Sequence, residues 1–271
     1  MSGSGGTRSE GGGKTGRERP VRDRARAVLL AGVAAVAGGL LGAREATADA
    51  GSGAADPATV VLLHGLGRTP RNMVILEWRL EARGYRVCNV GYDWRKPRLE
   101  EVIAEVHDAV SACRREGEPL HFVTHSLGAL VLRGLLAVHA VPDLGRAVML
   151  APPNQGSEIA DRLRDIGILE SVMGPISTQL GTREIDLPAR LPPPPIPFGV
   201  IAGNEWINPA GPLWLPSPHD GTVSVESTRL EGMRDHIVLP YTHTFIMNAG
   251  PVAAQIDTFL RQGRFERPAP R

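Results

Sequence analysis

Ser126 stands in the run Phe122-Val123-Thr124-His125-Ser126-Leu127-Gly128, where a short apolar stretch breaks at a serine and a second apolar stretch begins. Strand, sharp turn and helix form the setting that lifts a serine hydroxyl clear of a sheet. It also puts the oxygen at a helix N-terminus, where the backbone dipole favours developing negative charge. Gly128 lets strand and helix approach closely. Thr124 holds the position where the pattern G-x-S-x-G has its first glycine, a small β-branched residue in its place. A helix N-cap accounts for a serine here. It does not account for His-Ser-x-Gly behind an apolar strand. The chemistry indicated is nucleophilic attack of Ser126 on an acyl carbon through a covalent intermediate.

Such attack needs two N–H donors aimed at the developing oxyanion. One is expected from Leu127, directly after the nucleophile. The other is expected from Leu66 in Leu63-His64-Gly65-Leu66-Gly67, where Gly65 and Gly67 permit the backbone to turn. His64 reads as a hydrogen-bonded structural residue, and His125 as packing beneath the turn.

A base and an orienting acid should follow the serine in the order Ser, acid, His. His243 in Tyr241-Thr242-His243-Thr244-Phe245 follows the last strand, where a base loop belongs. His139 lies at the end of the helix after Ser126 and points away. His236 is expected before the last strand, at the wrong end of the sheet. Asp220 in His219-Asp220-Gly221-Thr222-Val223 is the expected acid, with Glu205 as the competing candidate. A plain turn also explains Asp-Gly. Trp206 beside Glu205 suggests a packed loop there.

These residues need a frame. The apolar run at 59–63 reads as a strand buried on both faces, and 85–90, 120–124, 146–150, 198–202 and 237–239 read as five further short strands. Helical spacing occupies 70–83, 99–115, 127–139 and 252–260. The alternation predicts an α/β fold: a mostly parallel sheet with helices on both faces. Residues 154–197 interrupt it, with a modest helical stretch at 158–172 and prolines 192–195. An excursion of that length covers or shapes a site, and 156–196 is expected to form a small lid.

With these pieces in hand, the chain resembles the bacterial lipase and esterase branch of the α/β-hydrolase superfamily. The resemblance covers Ala58 to Phe265. It rests on Val61-Leu62-Leu63-His64-Gly65-Leu66-Gly67, Thr124-His125-Ser126-Leu127-Gly128, Ala151-Pro152-Pro153-Asn154-Gln155-Gly156-Ser157, His219-Asp220-Gly221-Thr222-Val223 and Thr242-His243-Thr244. It implies the α/β-hydrolase fold, an acid supplied by an Asp-Gly-x-Val motif, a base 23 residues later and oxyanion donors at Leu66 and Leu127. Carboxylic-ester cleavage by a Ser126-Asp220-His243 triad is the expected activity, on a small-molecule or lipid ester. Alternatives are a thioesterase, amidase or phospholipid deacylase on the same triad, or a non-catalytic binding protein of this fold. Thr124 and the small lid argue against long-chain triglycerides.

Composition removes other classes. Thirty Lys+Arg against 29 Asp+Glu leave a formal charge of +1, with no pull toward nucleic acid. No Cys/His cluster has metal-ligand spacing, and no cofactor is expected. Two cysteines, Cys88 and Cys113, fall on a strand and on the next helix; two small buried hydrophobes are favoured over a bridge. Residues 1–55 read as a polar and Arg-rich leader, an apolar run at 27–43 and small-x-small sites at 46–50. That order is the order of a secretory signal, and the hydrolase domain is expected over 56–271. The chain is therefore expected to be exported, to the periplasm or beyond, with peripheral or anchored membrane association through 27–43 as the alternative for an uncleaved segment.

Overall fold

The computed structural model describes residues 58–207 and 214–267. The expected leader, its apolar run and the boundary at 55 lie outside the described residues. Among the described residues, no helix is long and apolar enough to cross a membrane.

Six strands form one sheet: β1 (Thr59–Leu63), β2 (Arg86–Val90), β3 (Leu120–His125), β4 (Leu144–Leu150), β5 (Phe198–Gly203) and β6 (Asp235–Leu239). Their order is β2-β1-β3-β4-β5-β6, and every pair is parallel. Alternation along β1 shows why Val60 to Leu63 are all apolar. Val61 and Leu63 enter one buried cluster, while Val60 and Leu62 enter another on the opposite face.

Helices α2 (Leu99–Cys113) and α3 (Leu127–Val138) supply the first cluster through Val102, Val106, Leu130 and Leu135. Helices α1 (Val74–Glu81) and α7 (Gly250–Gln262) supply the second through Leu76, Leu80, Val252 and Phe259. A 3-10 turn, Pro70–Met73, precedes α1, so the helical spacing expected over 70–83 resolves into two pieces. β6 begins at Asp235, which puts His236 inside the strand rather than before it.

Between β4 and β5 lie α4 (Glu158–Asp165), α5 (Leu169–Met173), a 3-10 turn Pro175–Gln179 and α6 (Leu187–Arg190). The helical stretch expected at 158–172 is split by Gly167, whose φ of +68° a helix interior does not accept. Arg133 of α3 holds this insertion from below. It is 2% exposed, and its guanidinium donates to the carbonyls of Pro188, Leu191, Pro192 and Asn154. Burial, with no carboxylate partner among the described residues, pushes its pKa down to about 10.

The expectation for the cysteines is corrected. Cys88 of β2 and Cys113 at the end of α2 form a disulfide, with Cα atoms 6.1 Å apart. The strand and the helix that follows it pack directly, which brings the two Cα atoms into bonding range.

Candidate active site

Ser126 links β3 to α3 with φ 53° and ψ −121°, a conformation that non-glycine residues rarely adopt. The close packing of the turn explains the flanking glycine. A Cβ at Gly128 would stand 2.5 Å from the Leu63 carbonyl oxygen and 2.8 Å from that of His64. Thr124 is fully buried, and its hydroxyl has no hydrogen-bond partner among the described residues.

His243 follows β6, and its Nε2 lies 3.0 Å from Ser126 Oγ. Its Nδ1 lies 2.7 Å from Asp220 Oδ2. A carboxylate only accepts, so Nδ1 carries the proton and Nε2 is free to accept from the serine. Asp220 is 2% exposed, and its other oxygen accepts from the N–H groups of Thr222 and Val223 at 2.9 and 2.8 Å. The His243 N–H in turn donates to the Asp220 carbonyl at 3.0 Å. The structure thus brings Ser126, His243 and Asp220 into one hydrogen-bonded chain. Glu205 is exposed, and its carboxylate takes no part in that chain. Trp206 beside it is 46% exposed rather than packed, its ring 6.0 Å from His219.

The turn after β1 runs against the serine. A Cβ at Gly65 would meet His125 Nδ1 at 2.9 Å and Ser126 Cβ at 3.1 Å. The Arg68 N–H closes the turn on the Gly65 carbonyl at 3.2 Å, and Gly67 takes φ +68°. Leu66 sits at the centre of that turn, and its N–H makes no hydrogen bond among the described residues. Leu127 is the first residue of α3, so its N–H belongs to the helix end that lacks internal acceptors.

His64 braces this turn, as its sequence context suggests. Its Nδ1 donates to the Gly65 carbonyl at 3.0 Å, and its Nε2 accepts from the Tyr92 N–H at 3.4 Å. The Tyr92 ring stacks on it at 4.1 Å, and the Tyr92 hydroxyl donates to the His64 carbonyl. Burial lowers the His64 pKa, which keeps the ring neutral. Tyr92 was not legible as a site residue, because its partner lies 28 positions away and no local pattern marks it. His139 caps α3 and stacks on His107 of α2, away from Ser126.

The insertion is tied to the segment that follows Asp220. Glu158 Oε1 accepts from the hydroxyls of Ser224 and Ser227 at 3.0 and 3.2 Å, and the Asn154 amide donates to the Thr228 carbonyl at 2.9 Å. Among the described residues, no group of His, Cys, Asp and Glu side chains could hold a metal ion.

Residues 60–260 match the family model described as the alpha/beta hydrolase family. The chain belongs to that family. Solved structures agree on the fold of this α/β hydrolase. A Bacillus licheniformis lipase in its mature form superposes with a TM-score of 0.66 at 16% identity, over 80% of this chain and 96% of its own. A metagenomic carboxyl esterase gives 0.54 at 20% identity, over 70% of this chain and 66% of its own. The phospholipase PlaB of Legionella pneumophila gives 0.58 at 16% identity, over 78% of this chain and 60% of its own. At such identities the likeness is one of fold. No curated protein sequence matches the chain.

Proposed function

We propose that this α/β hydrolase is a serine hydrolase that cleaves carboxylic esters, with Ser126, His243 and Asp220 as its triad. The observation that carries this reading is the unbroken chain from Ser126 Oγ through His243 to Asp220, with spacings of 3.0 and 2.7 Å. His243 Nε2 takes the serine proton as Oγ attacks the ester carbonyl. The N–H groups of Leu66 and Leu127 hold the oxyanion of the tetrahedral intermediate. Asp220 stabilises the imidazolium and fixes its tautomer. His243 then gives the proton to the leaving alcohol, and an acyl group remains on Ser126. Water, activated by the same histidine, releases the acid.

The insertion at 156–196, held by Arg133 and Glu158, serves as the lid of this site. The Cys88–Cys113 bridge supports export to an oxidising compartment, with residues 1–55 as the leader. Mass spectrometry of secreted material tests that part, and a mature chain starting near Ala50 to Ala54 is expected.

A panel of p-nitrophenyl esters of rising acyl length, read with Ser126→Ala, tests the reaction. The variant should fold and lose activity by a factor of about 10⁴ or more. A fluorophosphonate should label the native chain at Ser126. Residual activity above a tenth of the native rate would move the nucleophile elsewhere.

A further inference from the structure

A small cavity of 140 Å³ lies between the segment that follows the β1 turn, Arg68 to Ile75, and the segment that follows His243, Thr244 to Asn248. Arg68, Arg71 and Asn72 form its polar wall, and Ile75, Phe245 and Met247 its apolar one. Arg68 directly follows the oxyanion turn. Its guanidinium crosses to Thr244, next to the proposed base, and donates to the Thr244 hydroxyl at 3.3 Å. No carboxylate lines the cavity, and none pairs with Arg68 or Arg71 among the described residues.

That arrangement is costly without a ligand. Arg68 is partly withdrawn from water, and this desolvation lowers its pKa with no counter-charge to offset it. Arg114 pairs with Asp143, Arg164 pairs with Asp186, and the buried Arg133 donates to four backbone carbonyls, whereas the Arg68 guanidinium has only the Thr244 hydroxyl among the described residues. Two arginines lining one cavity match the oxygens of a phosphate better than a neutral group.

We propose that this pocket binds a phosphate carried on the alcohol portion of the substrate, so that the physiological ester is a phosphate-bearing one. The side follows from the chemistry. His243 hands its proton to the leaving alcohol, and Thr244 to Asn248 continue the His243 loop into the pocket. The phosphate meets Arg68 and Arg71, while Ile75 and Phe245, each 38% exposed, flank the carbon chain at the rim. This assignment rests on the serine-hydrolase reading above.

The test compares kcat/KM for dihexanoylphosphatidylglycerol, kept below its micelle concentration, with that for dihexanoylglycerol. The native chain should prefer the phosphate ester by about tenfold or more, the worth of one charge-assisted contact. Arg68→Met and Arg71→Gln should each bring the ratio toward one, and Arg68→Lys should retain part of it. Arg71 is exposed, so its variant stays informative if Arg68→Met fails to fold. Equal values for the two esters, or a preference that survives both neutral variants, would overturn the proposal. Hydrolysis of dioleoylphosphatidylglycerol vesicles would make the source a membrane lipid. Hydrolysis of the monomeric ester alone would make it a soluble phosphate ester. Calorimetry separates this proposal from the reading beneath it. Ser126→Ala should bind glycerol 3-phosphate and not glycerol, and Arg68→Met should abolish that binding. Binding without turnover of any ester sinks the hydrolase reading alone, and turnover without this binding sinks the phosphate pocket alone.

Discussion

The ring of His125 is bonded to the backbone of His243: its Nε2 donates to the His243 carbonyl at 2.9 Å, across 118 residues of chain. The residue before the nucleophile thereby holds the loop that carries the proposed base. The two rings stand 4.8 Å apart. Burial, then the neighbouring His243, pushes the His125 pKa well below the usual imidazole value, so the ring is a neutral donor. His125→Phe keeps the volume and removes the donor. With the loop freed, kcat should fall about tenfold while KM changes little, the cost of one buried hydrogen bond. An equal loss in KM would mean that the ring shapes substrate binding instead.

Asp220 and Glu205 are separated by kinetics. Asp220→Asn keeps the shape but leaves His243 Nδ1 facing an amide, and should lose on the order of 10²–10⁴ in kcat. Glu205→Gln should change it little, since that carboxylate is exposed and outside the hydrogen-bonded chain. The reverse ranking would reassign the acid.

The Cys88–Cys113 bridge joins residues 25 positions apart. Closing a loop of that size limits the unfolded chain and should contribute about 3 kcal/mol. Urea unfolding of the Cys88→Ala/Cys113→Ala double variant measures it. Stability equal to that of the native chain would show that the packing of β2 on α2 carries that corner alone.

Acid should unfold the protein through its buried histidines. Burial, and then Arg146, lowers the His121 pKa to about 4, and burial holds His125 well below the usual imidazole value. Both are neutral when folded and take up protons near pH 6.5 when unfolded. The unfolded state therefore binds more protons below that value. Stability is full above it and declines as pH falls, for His121 until about 4, by up to about 1.4 kcal/mol per pH unit for each histidine. Urea midpoints at pH 7 and pH 5 check this. A flat profile would mean that these rings already titrate in the folded state.

The local features of this protein were written in its sequence. Strand, turn and helix around Ser126 are decided by neighbours: an apolar run, a residue that opens the turn, and Gly128, which the Leu63 and His64 carbonyls leave no room to replace. The central strands were legible because a strand buried on both faces is mostly apolar, while the partly buried edge strands β2 and β6, which carry Arg86, Asn89, Asp235 and His236, showed through their place in the strand–helix alternation; the placement of Asp220 and His243 followed from chain order along such a sheet. Contacts between distant segments leave no local mark, and the tertiary structure alone decided them. The disulfide depended on how closely α2 packs on β2, a distance no spacing encodes. Gly167 broke a helix that amphipathic spacing had carried through. Tyr92 reached His64, Arg133 reached the carbonyls of the insertion, and Arg68 reached Thr244 across 176 residues, because folding, not sequence proximity, made them neighbours.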